Sequence, residues 1–217
     1  MTAEGALLGV LEESRRLGFL GPGPVIDHVG HAERVLGVLD SLALDAVGNA
    51  GPGNAPRCVD LGSGGGVPGL VLAARRPAWR WLLLDAQQRR TDFLADAVRR
   101  LGLGERVEVL RARAEVAGRD TRLRGAHDLV VARSFGAPAV TAECAAPLLA
   151  LGGSLAVSEP PDGESTDVRW PADGLTRLGL ARTGRPRDGW VVLRQEDVLD
   201  DRYPRTDGRP AKRPLWT

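Results

Sequence analysis

From residue 57 onward, the chain alternates short apolar runs with longer amphipathic stretches. Continuous apolar runs of about four residues predict strands buried on both faces of a sheet. Stretches with apolar residues every three or four positions predict helices that cover the sheet. We predict strands at 58–61, 81–84, 107–110, 129–132 and 154–157, and helices at 67–76, 87–102 and 138–150. This order is typical of an α/β fold with a doubly wound, mostly parallel sheet.

The last two predicted strands, near 178–183 and 190–194, have no helical pattern between them. The segment from Gly184 to Gly189 consists mainly of residue types that favour turns. Two strands joined by such a segment predict an antiparallel hairpin. We therefore expect the mostly parallel sheet to end in a C-terminal antiparallel hairpin.

Amphipathic patterns at 3–17 and 30–47 predict two N-terminal helices before the sheet. A Gly-Pro run at 21–24 separates them, and a Gly-Asn-Pro loop at 48–54 follows the second. We therefore expect three parts in the chain: a helical extension packed on the core at 1–56, the core domain at 57–198, and a basic tail at 199–217.

The composition is that of an ordinary globular protein. Of 217 residues, 43% are hydrophobic and 26% are charged, and the formal net charge is +1. A nearly neutral chain is not a basic nucleic-acid coat, so any nucleic-acid contact must come from a local patch. No apolar stretch approaches the roughly 20 residues that a membrane span needs. We expect a cytoplasmic protein that binds no membrane.

The two cysteines, Cys58 and Cys144, stand far apart in unrelated local patterns. The sequence contains no CxxC motif and no cysteine-histidine cluster. It therefore indicates neither a structural zinc site nor a disulfide framework, and we expect no metal.

A glycine-rich segment connects the first predicted strand of the core to its helix. It reads Asp60-Leu61-Gly62-Ser63-Gly64-Gly65-Gly66-Val67-Pro68-Gly69. Glycines at such a turn allow positive φ angles and let a ligand approach the bare backbone. Gly64, Gly66 and Gly69 also satisfy the GxGxxG pattern of dinucleotide-binding proteins, which alone is a weak signal.

Two carboxylates discriminate between the candidate cofactors. Asp60 ends the strand before the glycines, where it suits the ammonium group of S-adenosylmethionine but would repel a pyrophosphate. Asp85 ends the next strand, where a carboxylate accepts hydrogen bonds from the ribose hydroxyls of either S-adenosylmethionine or NAD. Asp60 and the terminal hairpin therefore favour an S-adenosylmethionine-dependent methyltransferase. A nucleotide-dependent oxidoreductase is the alternative.

Several further motifs follow in order along the chain. They are Leu84-Asp85 with Arg89-Arg90 and Phe93-Leu94, then Arg113-Ala114-Glu115, Val131-Ala132-Arg133-Ser134-Phe135, Ala146-Pro147-Leu148-Leu149 and Gly152-Gly153, and finally Arg202-Tyr203-Pro204-Arg205 and Gly208-Arg209-Pro210-Ala211-Lys212-Arg213-Pro214-Leu215. With the glycine-rich segment, they make the chain similar to the ribosomal RNA small subunit methyltransferase G family, whose fold is the Rossmann-like class I methyltransferase sheet. The resemblance covers about 57–158 and resumes in the tail. It implies methylation of N7 of a guanine in the decoding-region loop of 16S rRNA, with the RNA or the 30S subunit as partner.

The resemblance also implies a set of site residues around S-adenosylmethionine. Beside Asp60 and Gly64 of the turn, they are Gly62 and Val67 at the methionine part, Asp85, Ala86 and Gln87 at the ribose, Ala114 and Glu115 at the adenine, and Arg133 as catalytic residue where cofactor meets substrate. Two of them have alternative roles. Glu115 would otherwise be a solvated acid at a helix start, and Arg133 an ion-pair partner of Glu159.

Methylation at guanine N7 uses an existing ring lone pair, so the enzyme needs to align the reacting groups and no proton must leave first. We accordingly expect His28, His31 and His127 to be structural or solvated. The fourth predicted strand of the core ends in Ala132-Arg133-Ser134-Phe135, which lacks the Asn/Asp-Pro-Pro-aromatic motif used on exocyclic amines. Phe135 would stack on a base or belong to the core.

The tail carries five basic residues close to Tyr203 and Trp216, a combination typical of RNA-contacting segments and also of solvated ends. We expect RNA contacts from Arg202, Arg205, Arg209, Lys212 and Arg213.

The chain departs from the family at two places. An Asn-Leu-Thr element typical of the N-terminal region is missing, and Glu159 stands where the family usually has a lysine. A paralogue that methylates another RNA position or a small metabolite is therefore an alternative, and a non-catalytic cofactor-binding or ribosome-associated protein is another. We expect a monomer.

Overall fold

A computed structural model describes residues 2–41, 55–161, 165–206 and 208–217. The strands are β1 Arg57–Leu61, β2 Arg80–Asp85, β3 Val107–Arg111, β4 His127–Ala132, β5 Leu149–Ser158, β6 Leu180–Arg182 and β7 Trp190–Gln195. The helices are α1 Ala3–Arg16, α2 Val25–Asp40, α3 Gly69–Arg75, α4 Gln88–Arg100, α5 Ala114–Ala117, α6 Pro138–Ala145, α7 Thr166–Arg169, α8 Ala172–Thr176 and α9 Arg209–Lys212. A 3₁₀ turn, Ala146–Leu148, follows α6.

The strands form one seven-stranded sheet in the order β3-β2-β1-β4-β5-β7-β6. The first five strands pair in parallel, while β7 runs antiparallel to both β5 and β6. The predicted fold class, a doubly wound sheet ending in an antiparallel hairpin, is therefore confirmed. The central strand β4 is buried over its whole length, because helices cover both faces of the sheet.

Two apolar layers enclose the sheet. One face is covered by α1, α2, α3 and α4, with Leu11, Val29 and Leu94 in its core. The other is covered by α5, α6, the segment around Trp170 and the chain end around Tyr203. The N-terminal helices thus share a hydrophobic core with the sheet. The division of the chain at 56 and 198 stays a prediction.

Several predicted boundaries were wrong. Helix α2 begins at Val25, five residues earlier than expected, with Pro24 as its N-cap, and the predicted stretch at 42–54 lies outside the described residues. The helix predicted at 138–150 ends at Ala145, because Pro147 has no N–H to continue it and the chain passes into β5 at Leu149.

The last residues are packed against the body of the protein. Residues 199–206 and 208–217, which we call the C-terminal strap, bury Tyr203 and Pro210. The Arg205 guanidinium donates to the fully buried Glu143 carboxylate of α6 at 2.8 and 2.6 Å. Arg119 and Arg124 donate to main-chain carbonyls of the strap. A solvated chain end was therefore the wrong interpretation of this segment.

Both cysteines are free and buried. No group of three potential metal ligands occurs within the described ranges. Among the helices that the structure describes, none combines the length and apolarity that crossing a bilayer requires.

Candidate functional site

Two adjoining cavities open at the carboxyl ends of β1, β2 and β4, the edge where open α/β sheets bind ligands. The first, of about 200 Å³, is lined by Leu61, Gly62, Leu84, Asp85, Ala86, Gln87, Arg90, Ala112, Ala114, Ser134 and Phe135. The second, of about 180 Å³, is lined by Phe19, Leu20, Gly21, His28, Gly62, Ser63, Gly64, Gly65, Val67, Arg90, Arg133 and Ser134. They meet at Gly62, Arg90 and Ser134, so together they form one elongated site. Larger cavities elsewhere do not touch this edge of the sheet.

The glycine-rich turn shapes the wall between the two cavities. The Gly62 and Ser63 amides donate to the Leu84 carbonyl at 2.8 and 3.0 Å, which ties the turn to β2. Gly62 and Gly64 have φ angles of +73° and +54°. These angles belong to the left-handed region, which glycine adopts without the steric cost that a side chain brings.

Asp85 ends β2 and lies in the first cavity, 5% exposed. Its Oδ2 accepts from the Gly64 amide at 2.9 Å and its Oδ1 from the Gln87 amide at 2.8 Å. Arg90 lies 3.7 Å from the same carboxylate. Two backbone bonds therefore fix the carboxylate, and its remaining lone pairs stay available to a ligand.

Asp60 lies beneath the turn and is fully buried, so it lines neither cavity. Its Oδ2 accepts from the Gly69 amide at 2.9 Å, but its Oδ1 has no hydrogen-bond partner within the described residues. Burial raises the pKa of Asp60 to about 7, the Gly69 and Ser63 bonds oppose that rise, and the nearby Asp85 adds to it. A Cβ on Gly69 would stand 2.4 Å from Asp60 Oδ2, so the close approach requires glycine.

Arg133 follows β4 and lines the second cavity. Its Nη2 lies 2.8 Å from His28 Nδ1, and burial lowers its pKa while Asp60 raises it. The alternative pairing of Arg133 with Glu159 was wrong, because Glu159 accepts from Arg169 at 2.7 Å and from Trp170 Nε1 at 3.1 Å.

Glu115 begins α5 next to Ala114, which lines the first cavity. Glu115 is 8% exposed and pairs with Arg113 at 2.8 Å, so it is not a solvated helix-start acid. Its side chain does not line either cavity, and its adenine contact stays a prediction.

Phe135 is half-buried, and its ring lies against Gly62, where a Cβ would be 2.6 Å from Cδ2. The preceding Ser134 has a φ of +53°, which turns the chain back over the site after β4. Phe135 thus forms a wall of the first cavity and is not a residue of the interior alone.

Sequence reasoning missed the contribution of the N-terminal extension. Phe19 and Leu20, between α1 and α2, line the second cavity with His28 of α2. Ser14 Oγ donates to the Gly65 carbonyl at 2.9 Å, which holds α1 against the glycine-rich turn. No local motif marks these contacts, because they join segments about fifty residues apart.

The position of Arg90 was missed as well. The sequence placed it in a family motif, but did not predict that it lines both cavities.

None of the five basic residues predicted to contact RNA lines the two cavities. Arg202, Arg209, Lys212 and Arg213 are exposed on the C-terminal strap, whereas Arg205 is engaged with Glu143. The strap approaches the adjacent Arg113, since a Cβ on Gly208 would lie 3.5 Å from Arg113 Nη2. The structure thus gives Arg205 a structural role, and the RNA contacts of the others stay predictions.

Similarity to known proteins shows the family of the chain. The family model described as GidB, rRNA small subunit methyltransferase G, matches residues 31–158. Ribosomal RNA small subunit methyltransferase G of Moorella thermoacetica is 34% identical over 191 residues, covering 82% of this chain and 76% of that protein. The protein of the same name from Rubrobacter xylanophilus is 33% identical and covers 84% and 72%.

Solved structures agree at the level of fold. An O-methyltransferase family protein from Burkholderia thailandensis superposes with a TM-score of 0.52 at 17% identity, covering 78% of this chain and 58% of that one. A Corynebacterium glutamicum protein gives a TM-score of 0.55 at 17% identity, covering 89% and 91%. At such identities the likeness concerns the fold alone.

Proposed function

The chain belongs to the rRNA small subunit methyltransferase G family, and from this premise we propose that it transfers a methyl group from S-adenosylmethionine to N7 of a guanine in 16S rRNA. The observation that carries the proposal is the elongated site, in which a glycine-rich turn separates two cavities and Asp85 lies at the end of the second strand. We place this activity in the cytoplasm, where ribosomal subunits are found.

The residues fit S-adenosylmethionine at both ends. The adenosine part suits the first cavity, with Asp85 toward the ribose hydroxyls and Ala114 toward the adenine. The methionine part suits the second cavity, where Gly64 and Val67 offer backbone and apolar contact and Arg133 offers a cation to the carboxylate. When bound, the cofactor supplies an electrophilic methyl carbon on a sulfonium.

One buried polar atom of the site supports a polar ligand. Arg90 lines both cavities, and its Nε lacks a hydrogen-bond partner within the described residues. A buried polar group without a partner costs stability, so such groups usually mark a missing ligand or water. Asp60 lies beneath the turn and lines neither cavity, so a direct contact with the ammonium group of the cofactor stays a prediction.

The site is built to align reactants and not to remove a proton. The titratable groups that line the two cavities are Asp85, Arg90, His28 and Arg133. Asp85 is held by two backbone amides, and His28 Nδ1 faces Arg133, so neither is placed as a free general base. Guanine N7 needs no base, because its lone pair attacks the methyl carbon directly.

The replacement of the family lysine by Glu159 was the strongest argument for a different substrate. Glu159 is paired with Arg169 and bonded to Trp170, and its side chain is 10% exposed. Its charge is therefore offset within the protein. The replacement thus no longer argues against an rRNA substrate.

Labelled S-adenosylmethionine tests the substrate class. The purified protein is incubated separately with 30S subunits, with naked 16S rRNA and with an extract of small metabolites. We expect label in 16S rRNA from at least one of the two ribosomal substrates. Label confined to the metabolite fraction would instead establish the alternative function.

A further inference from the structure

We infer that His28 is a positioning residue for Arg133, whose guanidinium it holds in the second cavity through the Nδ1 acceptor of its imidazole. The inference rests on the proposed function, because it assigns a role within the same site. His28 lies in the first turn of α2, far from the glycine-rich turn in sequence, and is 7% exposed.

The hydrogen bonds define the protonation state of His28. Arginine can only donate, so His28 Nδ1, 2.8 Å from Arg133 Nη2, must be the acceptor. The ring proton then resides on Nε2, which lies 3.2 Å from the Gly21 carbonyl and donates to it. Both ring nitrogens are thus occupied, and the ring is fixed between the α1–α2 connection and β4.

A neutral acceptor suits this arginine for an electrostatic reason. Within the described ranges no carboxylate lies within 4.0 Å of the Arg133 guanidinium. An aspartate in place of His28 would orient the guanidinium but would also cancel its charge. The imidazole orients it and leaves the charge available to an anionic group, which in this cavity is the carboxylate of the cofactor.

Loss of the Nδ1 acceptor would release the guanidinium. The other charged groups around the pair are Arg90 in the same cavity, and Arg34, His31 and Asp60 within electrostatic range of Arg133. None of these offers Arg133 a replacement acceptor as close as His28. We therefore expect methyl transfer to slow when the acceptor is removed.

The chain supplies a matched control in His31. It lies one turn along α2, and its Nδ1 also accepts from an arginine, Arg34, at 2.8 Å. It donates to Ser158 at 2.8 Å and does not line the second cavity.

The experiment compares the kcat of the wild type with those of His28→Ala, His28→Asn and His31→Asn at neutral pH. The asparagine carbonyl replaces the Nδ1 acceptor, whereas alanine removes it. We expect kcat of His28→Ala to fall on the order of tenfold, and kcat of His28→Asn to stay within about threefold of wild type. We expect His31→Asn to keep the wild-type kcat, because His31 does not line the second cavity.

A wild-type kcat in His28→Ala, or a kcat of His28→Asn as low as that of His28→Ala, would overturn the inference. If the wild type transfers no methyl group to rRNA, the proposed function fails instead. The affinity of wild type, His28→Ala and His28→Asn for S-adenosylhomocysteine then still tests the pair, because that binding needs no turnover. Equal affinities of the three proteins would overturn the inference.

Discussion

At the scale of single residues, the site is governed by two aspartates with opposite surroundings. Asp85 accepts two backbone amides and faces a cavity, whereas Asp60 is buried and has one oxygen unpaired in the described structure. The sequence predicted both carboxylates, because each lies at the carboxyl end of an apolar strand. It did not predict their difference, which depends on burial by α3 and on the single amide donated by Gly69.

The raised pKa of Asp60 predicts a pH-dependent stability of the ligand-free protein. Burial raises the pKa to about 7, above the value of about 3.9 in an unfolded chain. The folded state therefore binds more protons between these values, so its stability is greatest at the acid side and is lost as the pH rises. One such group contributes a slope of up to about 1.4 kcal/mol per pH unit.

The substitution Asp60→Asn should remove this contribution, because the amide does not titrate. Urea unfolding of both proteins between about pH 4 and pH 8 measures it, since other titrating groups cancel in the difference. We expect the free energy of unfolding of the variant to exceed that of wild type increasingly as the pH rises. Parallel pH profiles would show that the pKa of Asp60 is the same in the folded and unfolded states.

At the scale of elements, helices and strands were predicted well where the apolar pattern continues over most of the element. Strands β1, β2 and β4 and helix α4 follow directly from their patterns, because each buries a continuous face. Strand β5 begins at Leu149, five residues before the predicted 154–157. The end of α6 and the start of α2 were misplaced, since Pro147 and Pro24 decide them. The role of Arg205 was missed for a different reason. It looks like the other basic residues of the tail unless the buried Glu143, some sixty residues earlier, is known to pair with it.

The strap predicts an asymmetric response to substitution. Arg205→Ala should destabilise the fold by about 3 kcal/mol, because it leaves the fully buried Glu143 carboxylate without its cation. Arg202→Ala, in the same strap but exposed, should cost less than about 0.5 kcal/mol. Adding Glu143→Gln to Arg205→Ala should recover part of the loss, since it removes the unpaired charge. Equal unfolding free energies for the two arginine variants would contradict a structural role for Arg205.

At the scale of the whole molecule, the near-neutral chain must bind RNA through a local surface. Arg209 and Lys212 of α9 are exposed and have no carboxylate within 4 Å among the described residues. They lie on the C-terminal strap, which approaches Arg113. Arg113 forms an ion pair with Glu115, and the neighbouring Ala114 lines the first cavity. This position suits contacts to the backbone of an RNA whose target base enters the site.

The double variant Arg209→Ala/Lys212→Ala should weaken 16S rRNA binding and make its salt dependence shallower. The logarithm of the binding constant falls linearly with the logarithm of the salt concentration, and each phosphate that the protein no longer neutralises reduces the steepness of that line by about 0.7 to 0.9. A matched control is Arg57→Ala/Arg80→Ala, which removes two exposed arginines at the opposite edge of the sheet. We expect the control to retain the wild-type slope, and both variants to bind S-adenosylhomocysteine normally. Identical salt slopes for all three proteins would exclude α9 from the RNA-binding surface.

The identity of the methylated nucleoside tests the proposed reaction most directly. After incubation of 16S rRNA, naked or in 30S subunits, with the protein and S-adenosylmethionine, the RNA is digested and its nucleosides are measured by mass spectrometry. We predict 7-methylguanosine at no more than one per rRNA molecule in wild type, with a strongly reduced yield in Asp85→Ala and Arg133→Ala. A methylated adenosine or cytidine, or a yield that does not depend on Asp85 and Arg133, would contradict the proposed chemistry and its site.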